Sequence, residues 1–400
     1  MNGCGDGLRK KCRNTLTATA EFSPQSGRKA WHRRREVMQL RTAFGAVRLS
    51  VWRGKNPVDG SWGCPIREQW GLSPHQQLSP ALEDKLAYFA TVTGSYEAAA
   101  KLADKVGCRV EDSTIHGLVQ RLGARAEGQI QERLQQTPSE KTAARAPTAL
   151  AVLMLDGFQV RQRGPGWGKK KTAQPRVEWH EMKIGVFYRQ EQAVRGEKAK
   201  RGQLAEKVVV SWQGEPLEIG RRLNWQARRG GLGRAQSILA VADGAPWIWG
   251  VVEDRWAGCH QLLDFYHASQ HLWVLGQAIY AGKETAAKEW VEGQLHRLRH
   301  GQEKKVLREL AAFPKRGGEA GSIIEREKNY FAAQARRMNY HQIAKRGWPI
   351  GSGAVESACR QRQCRRKRPG QFWTRSGLRH LDALEEARDH GQWDDLWLTA

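Results

Sequence analysis

The sequence contains no hydrophobic run long enough to cross a membrane and no signal for export. Its apolar stretches fall well short of the ~18 residues that a membrane-spanning helix requires. The first residues, MNGCGDGLRKKCRN, have no apolar segment of the kind that a secretory signal carries. These absences predict a cytoplasmic protein that has no membrane partner.

Cysteine is scarce and follows no pairing pattern. There are seven cysteines, an odd number, at positions 4, 12, 64, 108, 259, 359 and 364, and no two of them form a Cys-x-x-Cys pair. Such a distribution is typical of reduced thiols in a cytosolic protein and excludes a disulfide-based scaffold.

Acidic residues are too few to balance the basic ones. The 66 Lys and Arg residues outnumber 41 Asp and Glu residues, which gives a formal net charge of +25. A field of this sign favours a polyanionic partner, nucleic acid in particular. The basic residues also occur in blocks, KKK at 169–171 and RQRQCRRKR at 360–368, which a merely soluble basic protein does not need. We expect DNA phosphates to be contacted by Lys169, Lys170, Lys171, Arg365, Arg366, Lys367 and Arg368, with an affinity that falls steeply as salt is added.

The length of 400 residues suggests two or three domains. We expect a poorly ordered basic N-terminus over 1–36 and an N-terminal DNA-binding region over 37–136, with a hairpin around Gly45. The segment TPSEKTAARAPT, 137–148, is typical of a linker, and it precedes a second domain over 149–400.

The stretch 95–123 resembles two helices joined by a short turn. An Ala-rich helix reaches about Lys105, Gly107 breaks it, and a second helix starts near Ser113. In a DNA-binding helix-turn-helix the second helix enters the major groove, where Ser113, Thr114 and His116 would face the bases. An ordinary helical hairpin is the alternative for the same pattern.

The second domain reads as a layered α/β structure followed by helices. Apolar, β-branched segments predict strands at 149–155, 179–189, 207–212, 237–242 and 261–264. Residues 272–340 show only helical periodicity. A further helix is expected to begin near Gly353, after two glycines and a proline.

Two of these apolar segments end in Asp-Gly, at Asp156 and at Asp243. The glycine would let the backbone turn away, and neighbouring strand ends lie about 4.8 Å apart, so both carboxylates would meet at one edge. Like charges this close require a cation or a proton between them, and hard oxygen ligands favour Mg²⁺ or Mn²⁺. Glu356, beside the arginine block, is the best third carboxylate. The alternative is that each Asp-Gly is only a turn.

The motifs MLDGF, VADGAPWIW, LLDFYHASQHL and GSGAVES, taken in this order, resemble the DDE transposases of bacterial insertion sequences, specifically the ISKra group, which is related to Mutator-like transposases. The resemblance runs from about Phe44 to the C-terminus. It implies a ribonuclease H-like α/β catalytic core with an all-helical insertion, here 272–340, preceded by the mostly helical DNA-binding region. The implied triad is Asp156, Asp243 and Glu356, with separations of 243 − 156 = 87 and 356 − 243 = 113 residues.

The resemblance also bears on Asp264 and His267, which match a Cys-or-Asp-x-x-His pattern of Mutator-like enzymes. It implies that they lie near the site, supporting the metal ligands or contacting DNA. Mg²⁺ (or Mn²⁺) held by the triad would serve cleavage at the ends of the element and joining of the 3′-hydroxyl to target DNA. The expected partners are double-stranded DNA and further copies of the chain. Zinc binding by His260, Asp264, His267 and His271 is disfavoured because QLLD at 261–264 reads as strand.

Two other functions remain open at this point. One is a metal-dependent, structure-specific nuclease on the same fold, and the other is a catalytically decayed, DNA-binding regulator. Among the 17 tryptophans, Trp348 and Trp373 flank the Glu356 segment, where either could stack on an unpaired base or pack in the core.

Overall fold

The computed structural model describes residues 34–55, 60–73, 75–136, 148–194 and 203–397. Nearly all of the predicted N-terminal tail and linker, 1–33 and 137–147, lies outside the described residues. The chain divides into two compact units, Met1–Leu122 and Gly123–Ala400. This boundary falls inside a helix rather than at the predicted linker.

The first unit begins with an antiparallel hairpin of β1 (Arg34–Thr42) and β2 (Gly45–Lys55), to which β3 (Trp62–Gly63) adds an edge. Because β1 starts at Arg34, residues 34–36 are strand, so the predicted boundary after residue 36 lies three residues too late. Gly45 has φ +111°, a value that favours glycine, and it starts β2 directly after the turn. A small core lies on this hairpin: Met38, Leu49, Val51, Cys64 and Ile66.

Helices complete this unit: α1 (Pro65–Gln69), α2 (Pro80–Val92), α3 (Tyr96–Lys105) and the start of α4 (Asp112–Leu134). The hydroxyls of Ser79 and Ser95 cap α2 and α3 by accepting from the backbone N–H three residues on. Gly107, with φ +83°, follows α3. The second helix of the predicted pair is 23 residues long and continues into the second unit.

The second unit is built on a five-stranded mixed sheet with the order β10-β9-β4-β5-β8. Its strands are β4 (Leu150–Arg163), β5 (Val177–Arg189), β8 (Val208–Trp212), β9 (Ser237–Ala242) and β10 (His260–Leu263). A separate small hairpin joins β6 (Ala193–Val194) and β7 (Gln203–Leu204). β4, β9 and β10 are parallel, whereas β5 is antiparallel to both of its neighbours.

β4 has two halves with different sequence patterns. Leu150–Leu155 is apolar throughout, and these residues are buried because helices cover both faces of the sheet. The second half, FQVRQR, alternates apolar or buried side chains with exposed ones, as expected where only one face is covered. The strand predicted to end at Leu155 therefore continues to Arg163.

One face of the sheet packs against α5 (Pro216–Arg229) and α6 (Pro246–Arg255). The core on this side is fully apolar, and Leu153, Phe187, Leu223, Val251 and Val252 are completely buried. Burial of each such side chain contributes roughly 1.5–3 kcal/mol, which is enough to fix the register of the strands that carry Asp156 and Asp243.

A run of helices follows β10 directly: α7 (Phe265–Ile279), α8 (Glu284–Arg299), α9 (Glu303–Ala312), α10 (Gly318–Ala333) and α11 (Tyr340–Lys345). The helical segment thus starts seven residues before the predicted 272 (272 − 265 = 7). The chain then returns to the sheet with α12 (Gly353–Arg366), which packs on β4 and β5, and α13 (Arg375–Asp389), which packs on β8. Among the described residues, no helix combines the length and the apolar character needed to span a bilayer.

Candidate active site

Three carboxylates follow one another across the three parallel strands. The register pairs Leu155 with Ala242 and Ala242 with Leu263, so the next residues of the three strands are Asp156, Asp243 and Asp264. Adjacent strands lie about 4.8 Å apart, and the carboxyl ends of parallel strands share an edge. The register therefore brings Asp156 and Asp243 together and adds Asp264 as a third acid.

The glycine after Asp156 does not turn the chain, so the sequence prediction is wrong there. Gly157 continues β4, and a Cβ there would lie 2.7 Å from Glu181 Oε1 on β5. After Asp243 the chain leaves the sheet as predicted, with a bend at Gly244 before α6 begins at Pro246. A Cβ on Gly244 would lie 2.3 Å from a ring carbon of Tyr330, so both glycines also make room for a neighbouring side chain.

Asp264 is almost completely buried, at 1% exposure. Its carboxylate caps α7 by accepting the His267 N–H at 2.6 Å, and it also accepts the N–H of Ser352. Next to it, Phe265 N–H donates to the Ile350 carbonyl at 3.0 Å. A DNA contact by Asp264 is therefore wrong for this structure. The residue fixes the start of the segment that carries Glu356.

Glu356 lies in the first turn of α12, with its side chain 42% exposed. Arg360 Nη2 donates to it at 3.2 Å and Ser352 Oγ at 3.4 Å. One turn later Cys359, which is buried, donates from Sγ to Asp156 Oδ2 at 3.3 Å. This contact holds the start of α12 against Asp156, so Glu356 reaches the same sheet edge as the two aspartates.

Electrostatics links these three acids. Burial is the largest effect and raises the pKa of the Asp156 carboxyl, and the negative charges of Asp243 and Glu356 raise it further. Hydrogen bonds from Gly157 N–H and the Cys359 thiol oppose the shift. Burial likewise raises the pKa of Cys359, so this thiol stays protonated and remains a donor. An anionic cluster of this kind favours a positive charge beside it.

Carboxylate oxygens are the ligands that a hard divalent cation prefers, but these side chains are not arranged as a complete set of metal ligands. Within the described part of the chain, no three His, Cys, Asp or Glu side chains are placed to hold an ion together. Asp156 Oδ1 and Asp243 Oδ1 each accept a local backbone N–H, at 2.7 and 2.9 Å. Glu356, in contrast, is held by an exposed Arg360, and such surface pairs contribute little energy. That Asp156, Asp243 and Glu356 hold Mg²⁺ or Mn²⁺ therefore stays a prediction.

A histidine cluster lies on α7, close to Asp243 and Asp264. His271 Nε2 lies 3.2 Å from His267 Nε2, and its Nδ1 contacts Glu327 Oε2 on α10. The Tyr330 ring stacks on His271 with centroids 3.7 Å apart. Burial, followed by the charge of Asp243, raises the pKa of the Tyr330 phenol. His267 thus has a place beside the site, and its role there stays a prediction.

The predicted DNA-binding run at 360–368 divides into a buried and an exposed part. Arg365 and Arg366 are 5% and 1% exposed, and Arg366 Nη2 binds Asp382 and Glu385 of α13. A phosphate contact by Arg365 or Arg366 is therefore wrong, because these side chains belong to the interior. The other predicted DNA-binding residues have surface positions, with Thr114 partly covered: Lys169, Lys170, Lys171, Lys367, Arg368, Ser113, Thr114 and His116.

Trp373 is buried at 5% exposure, and its indole N–H donates to the Arg366 carbonyl at 3.2 Å. Its proposed stacking on an unpaired base is ruled out by this burial. Trp348 is half-buried and lies between His260 and Arg346. Its ring centroid is 5.1 Å from that of His260 and 5.0 Å from the guanidinium carbon of Arg346.

The sequence interpretation did not anticipate the roles of Cys359 and Tyr330. Cys359 lies three residues after Glu356, one helical turn on, and this spacing alone could have placed it on the same face. Tyr330 lies within the helical segment, and nothing in its local sequence indicates a contact with Gly244.

If the chain has the metal-dependent cleavage activity that its sequence predicts, replacement of Asp264 by Ala should reduce it roughly 10- to 100-fold, the usual effect of losing a partner that orients a metal ligand. The substitution leaves two N–H groups without their acceptor, so it should also destabilise the protein by about 1–3 kcal/mol. Activity would be measured below the melting temperature of the variant.

Thr374→Ala is the matched control, because Thr374 caps α13 by accepting the Gly377 N–H at 3.0 Å. It should cost about 1 kcal/mol of stability without a comparable loss of cleavage. Equal loss of activity in both variants would mean that Asp264 acts only through stability.

Comparison with known proteins gives distant similarities. No family model matches the chain. It is 24% identical over 368 residues to the UPF0236 protein in vanSb 3'region of Streptococcus gallolyticus, which covers 89% of this chain and 73% of that protein. The Drosophila P element transposase strand transfer complex aligns with 83% of this chain and 82% of its own, at 11% identity and a TM-score of 0.26. The chain is thus weakly similar in sequence to one UPF0236 protein.

Proposed function

We propose that this protein is a metal-dependent transposase that cleaves DNA at the ends of its own insertion sequence and joins the freed 3′-hydroxyl to target DNA. The observation that carries the proposal is the adjacent register of Asp156 and Asp243, with α12 joined to Asp156 by the Cys359 hydrogen bond. Burial, followed by the charges of Asp243 and Glu356, raises the pKa of Asp156. The mixed sheet, followed by a long helical segment before Glu356, supports an interrupted ribonuclease H-like core.

The chain's own residues would position the reacting groups. Asp264 fixes the start of α12 through Ser352, and Cys359 orients Asp156 by donating to one carboxylate oxygen. Mg²⁺ or Mn²⁺, when bound by the three carboxylates, would supply positive charge for the attacking and leaving oxygens of a phosphodiester. No tyrosine or serine nucleophile is required by this scheme.

The charge distribution supports DNA as the substrate. The net charge is +25. Exposed basic side chains lie on the loop between β4 and β5, and β4 is the strand that carries Asp156. Others lie directly after α12, the helix that carries Glu356. We expect the affinity for DNA to fall by a factor of ten or more between low and physiological salt, because phosphate contacts release counterions.

The test is a transposition assay in cells, using a marked element that carries the native flanking DNA of the gene. Movement that depends on both the protein and the element ends would support the proposal. Cleavage of branched or frayed DNA without movement would favour a structure-specific nuclease. Specific binding of the ends without cleavage in Mg²⁺ or Mn²⁺ would leave a regulator, and the enzymatic proposal would fail.

A further inference from the structure

An exposed row of aromatic rings and arginine side chains lies on the second half of β4 and beside it. The Arg161 guanidinium is 6.0 Å from the Trp179 ring centroid and 5.1 Å from that of Phe372. The Arg163 guanidinium is 5.2 Å from the Trp167 ring, which in turn lies 4.8 Å from Phe372. These five residues, referred to as the aromatic–arginine row, form a continuous series of flat groups.

The alternation of β4 explains why the arginines are free to form this row. Side chains alternate along a strand, so Arg161 and Arg163 point away from the face on which Val160 and Gln162 are buried. The register of β4 with β5 places Trp179 directly opposite Arg161.

The segment after α12 completes the row. Trp373 pairs with Gln162 in a parallel bridge, its N–H donating to the Arg161 carbonyl at 3.2 Å. Trp373 points into the interior, and the preceding residue, Phe372, lies against Arg161 on the other side. Arg161 Nη2 also donates to the Arg368 carbonyl at 2.7 Å, which holds the two segments together.

The row is open to solvent and positively charged. Trp179 is 59% exposed and Trp167 is 38% exposed. An acid on the same face of β5, Glu181, is neutralised by Lys183 Nζ at 2.9 Å. Exposed basic residues lie around the row: Lys169, Lys170, Lys171, Arg176 and Arg368.

We propose that the aromatic–arginine row is a binding site for unpaired DNA bases on the sheet face opposite the carboxylates. The inference rests on the proposed function in taking DNA as the ligand. Bases stack on aromatic rings and on arginine planes, and the surrounding basic side chains attract the phosphates. A base inside a duplex already has neighbours on both faces, so only unpaired nucleotides can use this surface.

The row and the Asp156 side chain lie on opposite faces of β4. Arg161 is 161 − 156 = 5 residues after Asp156, and an odd separation along a regular strand places two side chains on opposite faces of the sheet. The row is therefore a surface separate from the carboxylates.

The test measures fluorescence anisotropy with three fluorescein-labelled probes: a single-stranded oligothymidylate, a blunt duplex, and the same duplex with a 3′ overhang. Trp179→Ala and Trp167→Ala should each weaken binding of the single strand and the overhang roughly 5- to 100-fold, as expected for the loss of one stacking platform. Binding of the blunt duplex should change less than about twofold.

Two control variants sharpen the result. Trp179→Phe keeps a flat ring and should bind the single strand within a few-fold of the unchanged protein. Trp225→Ala removes a half-buried tryptophan of α5 whose indole N–H donates to the Gln136 carbonyl at 3.1 Å; it lies outside the row and the predicted DNA contacts, so it should leave all three affinities unchanged. Circular dichroism would show that each variant is folded.

Unchanged single-strand binding in both Trp→Ala variants would overturn the inference, and so would an equal loss on all three probes, since the row would then act as a general phosphate surface. The binding test needs neither metal nor cleavage. If the chain fails to move its element but Trp179→Ala selectively loses single-strand binding, the proposed function fails while the base site stands.

Discussion

Asp156→Asn, Asp243→Asn and Glu356→Gln should each lower DNA strand cleavage by at least about 100-fold. Loss of a residue that only supports a metal ligand typically lowers activity by up to this factor, and loss of a ligand itself should lower it no less. Each change keeps the shape of the side chain and removes its charge. Burial, followed by the charges of Asp243 and Glu356, raises the pKa of Asp156, so in the proposed site each carboxylate is expected to contribute charge to cation binding. DNA binding should be retained within about twofold, because these acids repel phosphates.

The measurement is cleavage of labelled element ends in Mg²⁺, together with end binding by the same preparations. Asp254→Asn is a suitable control, since Asp254 is a partly exposed acid of the same unit that pairs with Arg255 at 2.7 Å. Cleavage by Glu356→Gln equal to that of the unchanged protein would remove Glu356 from the site. A loss of DNA binding in all three variants would indicate that the substitutions act on folding.

Arg366→Ala should destabilise the second unit by about 3–5 kcal/mol, because it breaks a buried ion pair and leaves carboxylates without a partner. Arg366 is 1% exposed and binds Asp382 and Glu385. Burial works to raise the pKa of Glu385, but Arg366 and Arg362 outweigh it and hold that pKa at about 2. The Glu385 carboxylate is therefore charged in the interior and depends on its arginines.

Urea unfolding followed by circular dichroism would measure this loss. Lys288→Ala provides the comparison, since Lys288 pairs with Glu292 at 3.9 Å on the surface of α8, with both side chains at least 60% exposed. That pair should contribute no more than about 1 kcal/mol. Equal stability of the two variants would show that Arg366 is not an interior support, and its assignment as a DNA contact would have to be reconsidered.

The two surface residues of the same run, Lys367 and Arg368, differ from Arg366 in this respect. They are exposed, and Lys367 Nζ lies 5.6 Å from the Phe158 ring centroid on β4. The basic run at 360–368 thus contains both buried arginines and exposed basic residues. Arg362, Arg365 and Arg366 share the buried side because they are spaced three and four residues apart on a helix.

The positions of most strands of the five-stranded sheet could be predicted from the sequence, because buried strands need continuous apolar, β-branched segments. The strand predicted at 237–242 has those bounds in the structure. The strands predicted at 179–189, 207–212 and 261–264 differ from the observed strands by at most two residues at either end. The helical segment was also predictable from its periodicity. Asp156 and Asp243 could be selected as neighbours because each follows such a segment.

The remaining features depend on pairs of residues far apart in the chain, so they became visible only in the folded structure. The strand β4 continues past Asp156 because β5 pairs with it as far as Val177, so Gly157 makes room for Glu181 and does not form a turn. Arg366 is interior because acids of α13 face it, and no local pattern of charges reveals which side of a helix will be covered. The aromatic–arginine row likewise exists only through the register of β4 with β5 and the return of Phe372 to the sheet, since side-chain direction in a strand is set by pairing.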